Sequence, residues 1–310
     1  MPGSFHMNNR KTPPVCNYED SDYQSSFWEK GGREYEDQVE AIALKRLLPK
    51  NGRLLLELGA GAGRNTLRYT GFKRIVLLDF SKTQLEQARD RLGRSDKYVY
   101  VAGDVYRLPF IDGLFDAATM IRVLHHMADA PQALGQVRNV LRPDGIFILE
   151  FANKLNLKAM LRYRLGRQEW SPFTLEPVEF AKLNFDFHPQ AVRSWLTDLG
   201  FKIEKILSVS HFRTGILKQA VPTSMLVFFD SLFQWTGNLF QWTPSVFIRA
   251  GIANKELGIG EILSAPVGYF KCPECGHAPL EEKKSYLVCT NCHRHWEIKD
   301  EIYDFRQPIP

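Results

Sequence analysis

Between about residue 53 and residue 251, short runs of consecutive apolar residues alternate with segments of helical spacing. LLLEL (54–58), RIVLLD (74–79), YVYVA (98–102), FDAATMI (115–121) and GIFILEF (145–151) are too continuously apolar for one-sided sheets and predict strands buried on both faces. Residues 83–92 and 130–141 carry apolar side chains three and four apart and predict helices. So do residues 34–48, where Val39, Ile42, Ala43, Arg46 and Leu47 share a face, and residues 189–199, which lead into a strand candidate at 202–209. A last strand is expected at 245–251. Buried strands alternating with helices predict an α/β fold, a doubly wound and mostly parallel sheet. The division expected is an N-terminal lid and helix (1–52), the sheet domain (53–260, with helical insertions near 154–187 and 214–243) and a cysteine-rich tail (261–310).

Composition narrows the class. The 310 residues are 44% hydrophobic and 24% charged, ordinary globular values. Forty Lys and Arg against 35 Asp and Glu leave a net charge of +5, too small by itself to indicate nucleic-acid binding. No apolar run approaches the length of about 18 residues of a membrane span, and the opening MPGSFHMNNRK lacks the apolar stretch of a secretory signal. Four of the five cysteines fall between Cys272 and Cys292, a clustering that suggests metal binding in a reducing compartment, and hence the cytoplasm.

The first strand runs into Glu57-Leu58-Gly59-Ala60-Gly61-Ala62-Gly63-Arg64, a glycine turn expected to open a helix and to let backbone approach a ligand. Asp79 ends the second strand 20 residues after Gly59, where a carboxylate can take both hydroxyls of a ribose. Asp104 follows the third strand, where it can accept from an adenine amino group. A nicotinamide-dinucleotide fingerprint would need a small residue where Arg64 stands.

With these segments, ELGAGAGR, LLDFS, GDVYRLPF, FDAATMIRVLHH and VLRPDGIFILEF, the chain resembles the class I S-adenosylmethionine-dependent methyltransferases, and among them the ubiquinone/menaquinone C-methyltransferase group. The resemblance covers about residues 30–210 and implies a Rossmann-like sheet binding S-adenosylmethionine. It implies that Glu57, Gly59, Gly61 and Gly63 line the methionine end, Asp79 holds the ribose, Asp104 and Val105 bind adenine, and Phe80 packs on one ring face. Arg122 would present a backbone carbonyl. His125 and His126, past the fourth strand, are either a general base for the acceptor or a loop-shaping pair. His188 and His211 are expected to be structural. In the N-terminal segment Tyr23, Phe27, Trp28 and Tyr35 are candidates for a lid and Arg33 for pairing with the cofactor carboxylate, the alternative being a helix packed on the sheet edge with solvated charge.

Lys154, Lys158 and Arg162 are spaced by four, with Arg164 and Arg167 following and no acid among them; a helix would align them as a phosphate-binding stripe or a solvated face. The aromatic segment around Leu226, Phe228, Phe229, Leu232, Phe233, Trp235, Leu239, Phe240 and Trp242 either roofs a lipophilic acceptor pocket or packs against the tail.

Cys272, Cys275, Cys289 and Cys292 form C-x2-C-x13-C-x2-C, two knuckles that set four thiolates around a structural zinc with no open position. The tail is similar to the small zinc-ribbon activator subunit of tRNA, rRNA and protein methyltransferases, with His293 where that family usually has glycine. This implies that Trp296, Ile298, Ile302, Tyr303 and Phe305 pack on the catalytic domain and that no separate activator subunit is needed. The expected acceptor is a small or lipid-like molecule, with tRNA or rRNA as the alternative, and a non-catalytic cofactor-binding adaptor as the second alternative. The absence of Asn-Pro-Pro-Tyr or Asp-Pro-Pro-Tyr after the fourth strand argues against adenine-N6 and glutamine methylation.

Overall fold

The computed structural model describes residues 13–16, 19, 32–252 and 266–310. The lid candidates Tyr23, Phe27 and Trp28 lie outside them. In chain order the elements are α1 (Glu34–Leu47), β1 (Gly52–Leu58), β2 (Phe72–Asp79), α2 (Lys82–Leu92), β3 (Tyr98–Ala102), β4 (Phe115–Met120), α3 (Ala130–Val140) and β5 (Leu141–Ala152). There follow α4 (Leu157–Arg164), β6 (Val178–Ala181), β7 (Asn184–Asp186), α5 (Pro189–Asp198), β8 (Phe201–Val209), α6 (Gly215–Ala220), α7 (Thr223–Phe233) and β9 (Ser245–Ile252). The tail adds β10 (Glu281–Glu282), β11 (Tyr286–Val288), β12 (His295–Lys299) and β13 (Ile302–Ile309).

Eleven strands form one sheet in the order β10-β11-β12-β13-β3-β2-β1-β4-β5-β9-β8. The pairs from β13 through β3, β2, β1 and β4 to β5 are parallel. β9 runs antiparallel between β5 and β8, so β8 points the same way as β5. The strand cores Leu55–Leu58 and Ile75–Leu78 are sealed, each residue at most 4% exposed, which is why apart from Glu57 they read as apolar runs.

The tail is continuous with the main core. β13 pairs with the β3 edge through Ile302↔Tyr100, Tyr303↔Val101 and Asp304↔Ala102. Phe270 stacks on Phe110 of the sheet domain at 5.9 Å and meets Tyr303 and Phe305 at 4.8 and 4.9 Å. Trp296 lies 5.6 Å from Phe305. Backbone bonds from Lys271 to Pro109 and from Ile111 to Tyr269 knit the two parts together.

Four expectations change. No α-helix follows the glycine turn: Gly59, Gly61 and Gly63 all have positive φ, which breaks helical continuity, and only a 3-10 turn at Thr66–Arg68 forms. The insertion at 154–187 is a helix followed by the β6–β7 hairpin rather than helical throughout. Lys154 is not in the basic stripe, because Asn156 caps α4 two residues later and the Lys154 ammonium is buried, donating to Thr174 Oγ1 and Glu176 O. Among the described residues the aromatic segment packs by β8 and α1, at the end of the sheet opposite the tail.

Candidate cofactor and acceptor site

A cavity opens at the carboxyl ends of β1, β2 and β4, lined by the glycine turn, Asp79, Phe80, Val105, Arg122 and His126, with Val15 and Cys16 of the N-terminal segment also on its wall. At Gly59 a Cβ would sit 2.1 Å from Val123, so no other residue fits there. At Gly61 the nearest atom to a Cβ would be Gln84 Oε1 at 3.8 Å, and this glycine instead offers bare backbone to the cavity.

Asp79 is held from both sides, Oδ2 accepting from Gly61 N at 2.8 Å and Oδ1 from Ser81 N at 2.9 Å. Each oxygen keeps a further acceptor position. Burial raises its pKa against those backbone bonds. Glu57 is buried, accepts from Thr66 Oγ1 at 2.6 Å, and is pushed up to about 7 by burial.

Asp104 differs from expectation: it does not line the cavity, although Gly103 and Val105 beside it do. Its Oδ1 accepts from Tyr106 N and caps the turn at Val105–Arg107, and its Oδ2 faces Arg107. Arg33 is also off the cavity wall; it pairs with Glu36 across one helical turn.

Sequence reasoning missed Glu40. It is fully buried on α1 and receives the guanidiniums of Arg122 and Arg64, both cavity residues. Burial would raise its pKa, but the two cations outweigh that and hold it below the usual glutamate value. Arg122 itself has φ +60, and its N–H donates to Glu150 Oε2 at 2.9 Å. The available signal was two acids, Glu36 and Glu40, on the apolar face of an amphipathic helix.

The histidine pair splits. The rings lie 4.0 Å apart, but only His126 lines the cavity. His126 Nδ1 lies 3.0 Å from Leu183 O, so that nitrogen carries the proton and Nε2 keeps its lone pair. Burial lowers both histidines' pKa, and for His125 the neighbouring His126, Arg122 and Arg213 lower it further. Nearby, burial pushes the Asp186 carboxyl up to about 6, with Arg213 and Lys154 opposing. His188 caps α5 and His211 pairs with Asp230, both structural roles.

In the tail, the four cysteine sulfurs lie within 4.8 Å of one another, with Cys272 Sγ and Cys292 Sγ at 3.6 Å and Cys275 Sγ and Cys289 Sγ at 3.5 Å.

Residues 56–149 match the family described as a methyltransferase domain. The chain is 30% identical over 180 residues to the ubiquinone/menaquinone biosynthesis C-methyltransferase of Roseobacter denitrificans, covering 53% of this chain and 72% of that protein. The chain belongs to the class I S-adenosylmethionine-dependent methyltransferases. A demethylmenaquinone methyltransferase of Corynebacterium kroppenstedtii is 36% identical over 153 residues, 49% of this chain and 65% of the relative. Of other curated relatives the chain spans 36% to 66% of their length. The fold is that of a chain in the complex between the Haloferax volcanii Trm112 methyltransferase activator and a methyltransferase (TM-score 0.52, 19% identity, 74% of this chain and 96% of that one).

Proposed function

We propose that the protein methylates a small, enclosed acceptor with S-adenosylmethionine and carries its own zinc-ordered ribbon. The observation that carries this reading is the cavity at the carboxyl edge, where the bare backbone of Gly61, a fixed carboxylate and the His126 imidazole converge. These residues fit the cofactor: Asp79 offers acceptors for ribose hydroxyls, Phe80 and Val105 offer apolar walls for adenine, and the Gly61 backbone leaves room at the methionine end, whereas Gly63 lies off the cavity wall and packs on Leu92 and Ala88 of α2. When bound, S-adenosylmethionine supplies an electrophilic methyl on a sulfonium. The chain's share is orientation, which can supply about 7–11 kcal/mol of barrier lowering. Glu40 holds Arg122 and Arg64 in place on the wall. His126 Nε2 can take the proton an acceptor gives up, worth about 100- to 10,000-fold.

Relatives named for quinone methylation favour a small molecule over RNA, and the basic run offers less than its sequence suggests because Lys154 is buried. The sulfur spacings fit tetrahedral zinc, whose bonds of about 2.3 Å set ligand sulfurs roughly 3.8 Å apart. The ribbon already occupies the β3 edge, which supports an activator role in cis.

Titration calorimetry with S-adenosylmethionine tests the reading. Wild-type protein is expected to bind and Asp79→Ala to lose at least tenfold in affinity; no heat at millimolar cofactor overturns the proposal. His126→Ala is expected to keep cofactor affinity while turnover falls about 100-fold or more.

A further inference from the structure

Helix α7 is turned inside out. Its inward face carries Leu226 with Asp230, and Gln234 continues that face one turn on; all three are buried. Asp230 accepts from Tyr35 Oη at 2.6 Å and His211 N at 2.7 Å, while Gln234 donates to Val39 O at 3.0 Å, so polar bonds fix this face against α1. The outward face carries Met225, Phe228, Phe229, Leu232 and Phe233, each between 42% and 58% exposed, at the spacing of a continuous apolar stripe. Leu239, Phe240 and Trp242 extend it past the helix, Leu239 being 82% exposed. An apolar area of this kind marks an interaction surface rather than ordinary scatter.

The same surface runs on to α4. Leu157 N donates to Trp242 O at 2.8 Å, and Asn153 Nδ2 bonds Gln241 O and Thr243 O, so the start of α4 abuts the end of the aromatic segment. On α4 the apolar Leu157 and Leu161 are exposed beside Lys158, Arg162 and Arg164, none of which has an ion-pair partner among the described residues. Residues 153–168 contain no acid, and residues 213–244 contain only Asp230, which is buried. The two segments leave the sheet at the carboxyl ends of β5 and β8, the edge on which the cavity opens.

We propose that this face docks the protein on an anionic lipid bilayer, the Phe, Leu and Trp side chains entering the acyl boundary and the α4 cations meeting headgroup phosphates. The charge argues for this partner. A second copy in a two-fold contact would set cationic α4 near its like-charged equivalent. A nucleic-acid groove would not need exposed Leu and Met along a helix stripe. An apolar face bordered by Lys and Arg is what interfacial helices present. The inference stands on this surface alone and does not depend on the identity of the methyl acceptor.

The test is flotation of the full-length, zinc-loaded protein with vesicles. Phosphatidylcholine alone is compared with about two parts phosphatidylcholine to one part phosphatidylglycerol. Binding is expected to the anionic vesicles and to weaken with salt. Arg162→Ala with Arg164→Ala is expected to lower affinity about 30-fold, and Phe229→Ser with Leu232→Ser at least tenfold. Because all four side chains are exposed, the thermal unfolding midpoint of both variants is expected to match wild type, which separates lost docking from lost fold. The inference is overturned by no flotation with anionic vesicles at low salt, or by vesicle binding that both variants retain. It is equally overturned if the stripe substitutions abolish only RNA binding or only dimerisation.

Discussion

The two edges of the sheet domain carry comparable numbers of aromatic residues and treat them in opposite ways. At the β3 edge Phe110, Phe270, Trp296 and Phe305 are all at most 3% exposed, because β13 pairs with β3 and the strands of the tail cover that edge. At the β8 edge Phe228, Phe229, Phe233 and Trp235 are exposed, because α7 and the turn after it direct Asp230 and Gln234 inward. The aromatic content alone therefore does not say whether a segment is core. What decides it is whether another element supplies a matching surface and whether polar anchors turn the segment toward or away from it.

Removing the proposed zinc should widen the contrast most. Structural zinc in such knuckles carries roughly 10–16 kcal/mol of apparent binding energy, much of it folding energy. Chelation, or Cys289→Ser, is expected to release the tail, expose Phe270 and Trp296 and erase their near-ultraviolet circular dichroism. α7 at the other edge should stay folded, as read by unchanged proteolysis in 214–243. A tail that keeps its aromatic signal without metal would show that packing on Phe110 suffices.

Between the edges, α1 ties the β8 side to the cavity: Tyr35 anchors α7, and one turn further on Glu40 anchors Arg64 and Arg122. Glu40→Gln leaves two partly buried cations without their shared carboxylate and is expected to cost about 3–5 kcal/mol in thermal or urea unfolding. The acid limb distinguishes this role. Because the folded Glu40 pKa is depressed, its stabilisation is complete above the unfolded value and lost as pH falls through the lower folded one. The variant should lack that part of the acid slope. Glu57 has the opposite sign: with its carboxyl pushed up to about 7, its contribution is present below the unfolded value and gone once pH has risen through 7. Glu57→Gln should flatten the slope between about pH 4.5 and 7.

Most of the strand frame and the cysteine ribbon were readable from residues alone, for a physical reason. A strand buried on both faces must be apolar at most positions, and a tetrahedral thiolate site needs paired cysteines at fixed short spacing, so LLLEL, RIVLLD and the two C-x2-C knuckles are local signals. Glu40 was not readable because its partners Arg64 and Arg122 lie 24 and 82 residues away. The direction of α7 was hidden likewise: a stripe at 225, 228, 229, 232 and 233 shows that the helix is one-sided, but Tyr35, 195 residues before Asp230, decides which side faces in. Lys154 misled because spacing by four assumes one continuous helix, and the Asn156 cap starts the helix after it.

Asp230→Ala tests the anchor directly. It orphans the Tyr35 hydroxyl and the His211 N–H in a buried setting and should cost about 1–3 kcal/mol. Faster cleavage within 214–243, with the tail's near-ultraviolet signal unchanged, is the expected outcome. If the tail signal falls too, the edges are coupled through the sheet and the contrast is weaker than drawn.

The smallest effect lies inside the ribbon, where the two knuckles can be compared with each other. Gly276 and His293 occupy equivalent places: each N–H donates to the carbonyl of the first cysteine of its knuckle, at 2.8 and 2.9 Å, and each has positive φ, +73 and +58. A side chain in that conformation costs about 1–2 kcal/mol, while glycine loses roughly 0.5–1 kcal/mol of extra chain entropy on folding. His293→Gly should therefore stabilise the ribbon by about 0.5–1 kcal/mol, read as slower metal loss to a chelator. The α7 edge should not respond. Destabilisation would mean that the His293 ring makes a contact of its own worth more than the backbone strain, and the second knuckle would then depend on that ring as well as on its thiolates.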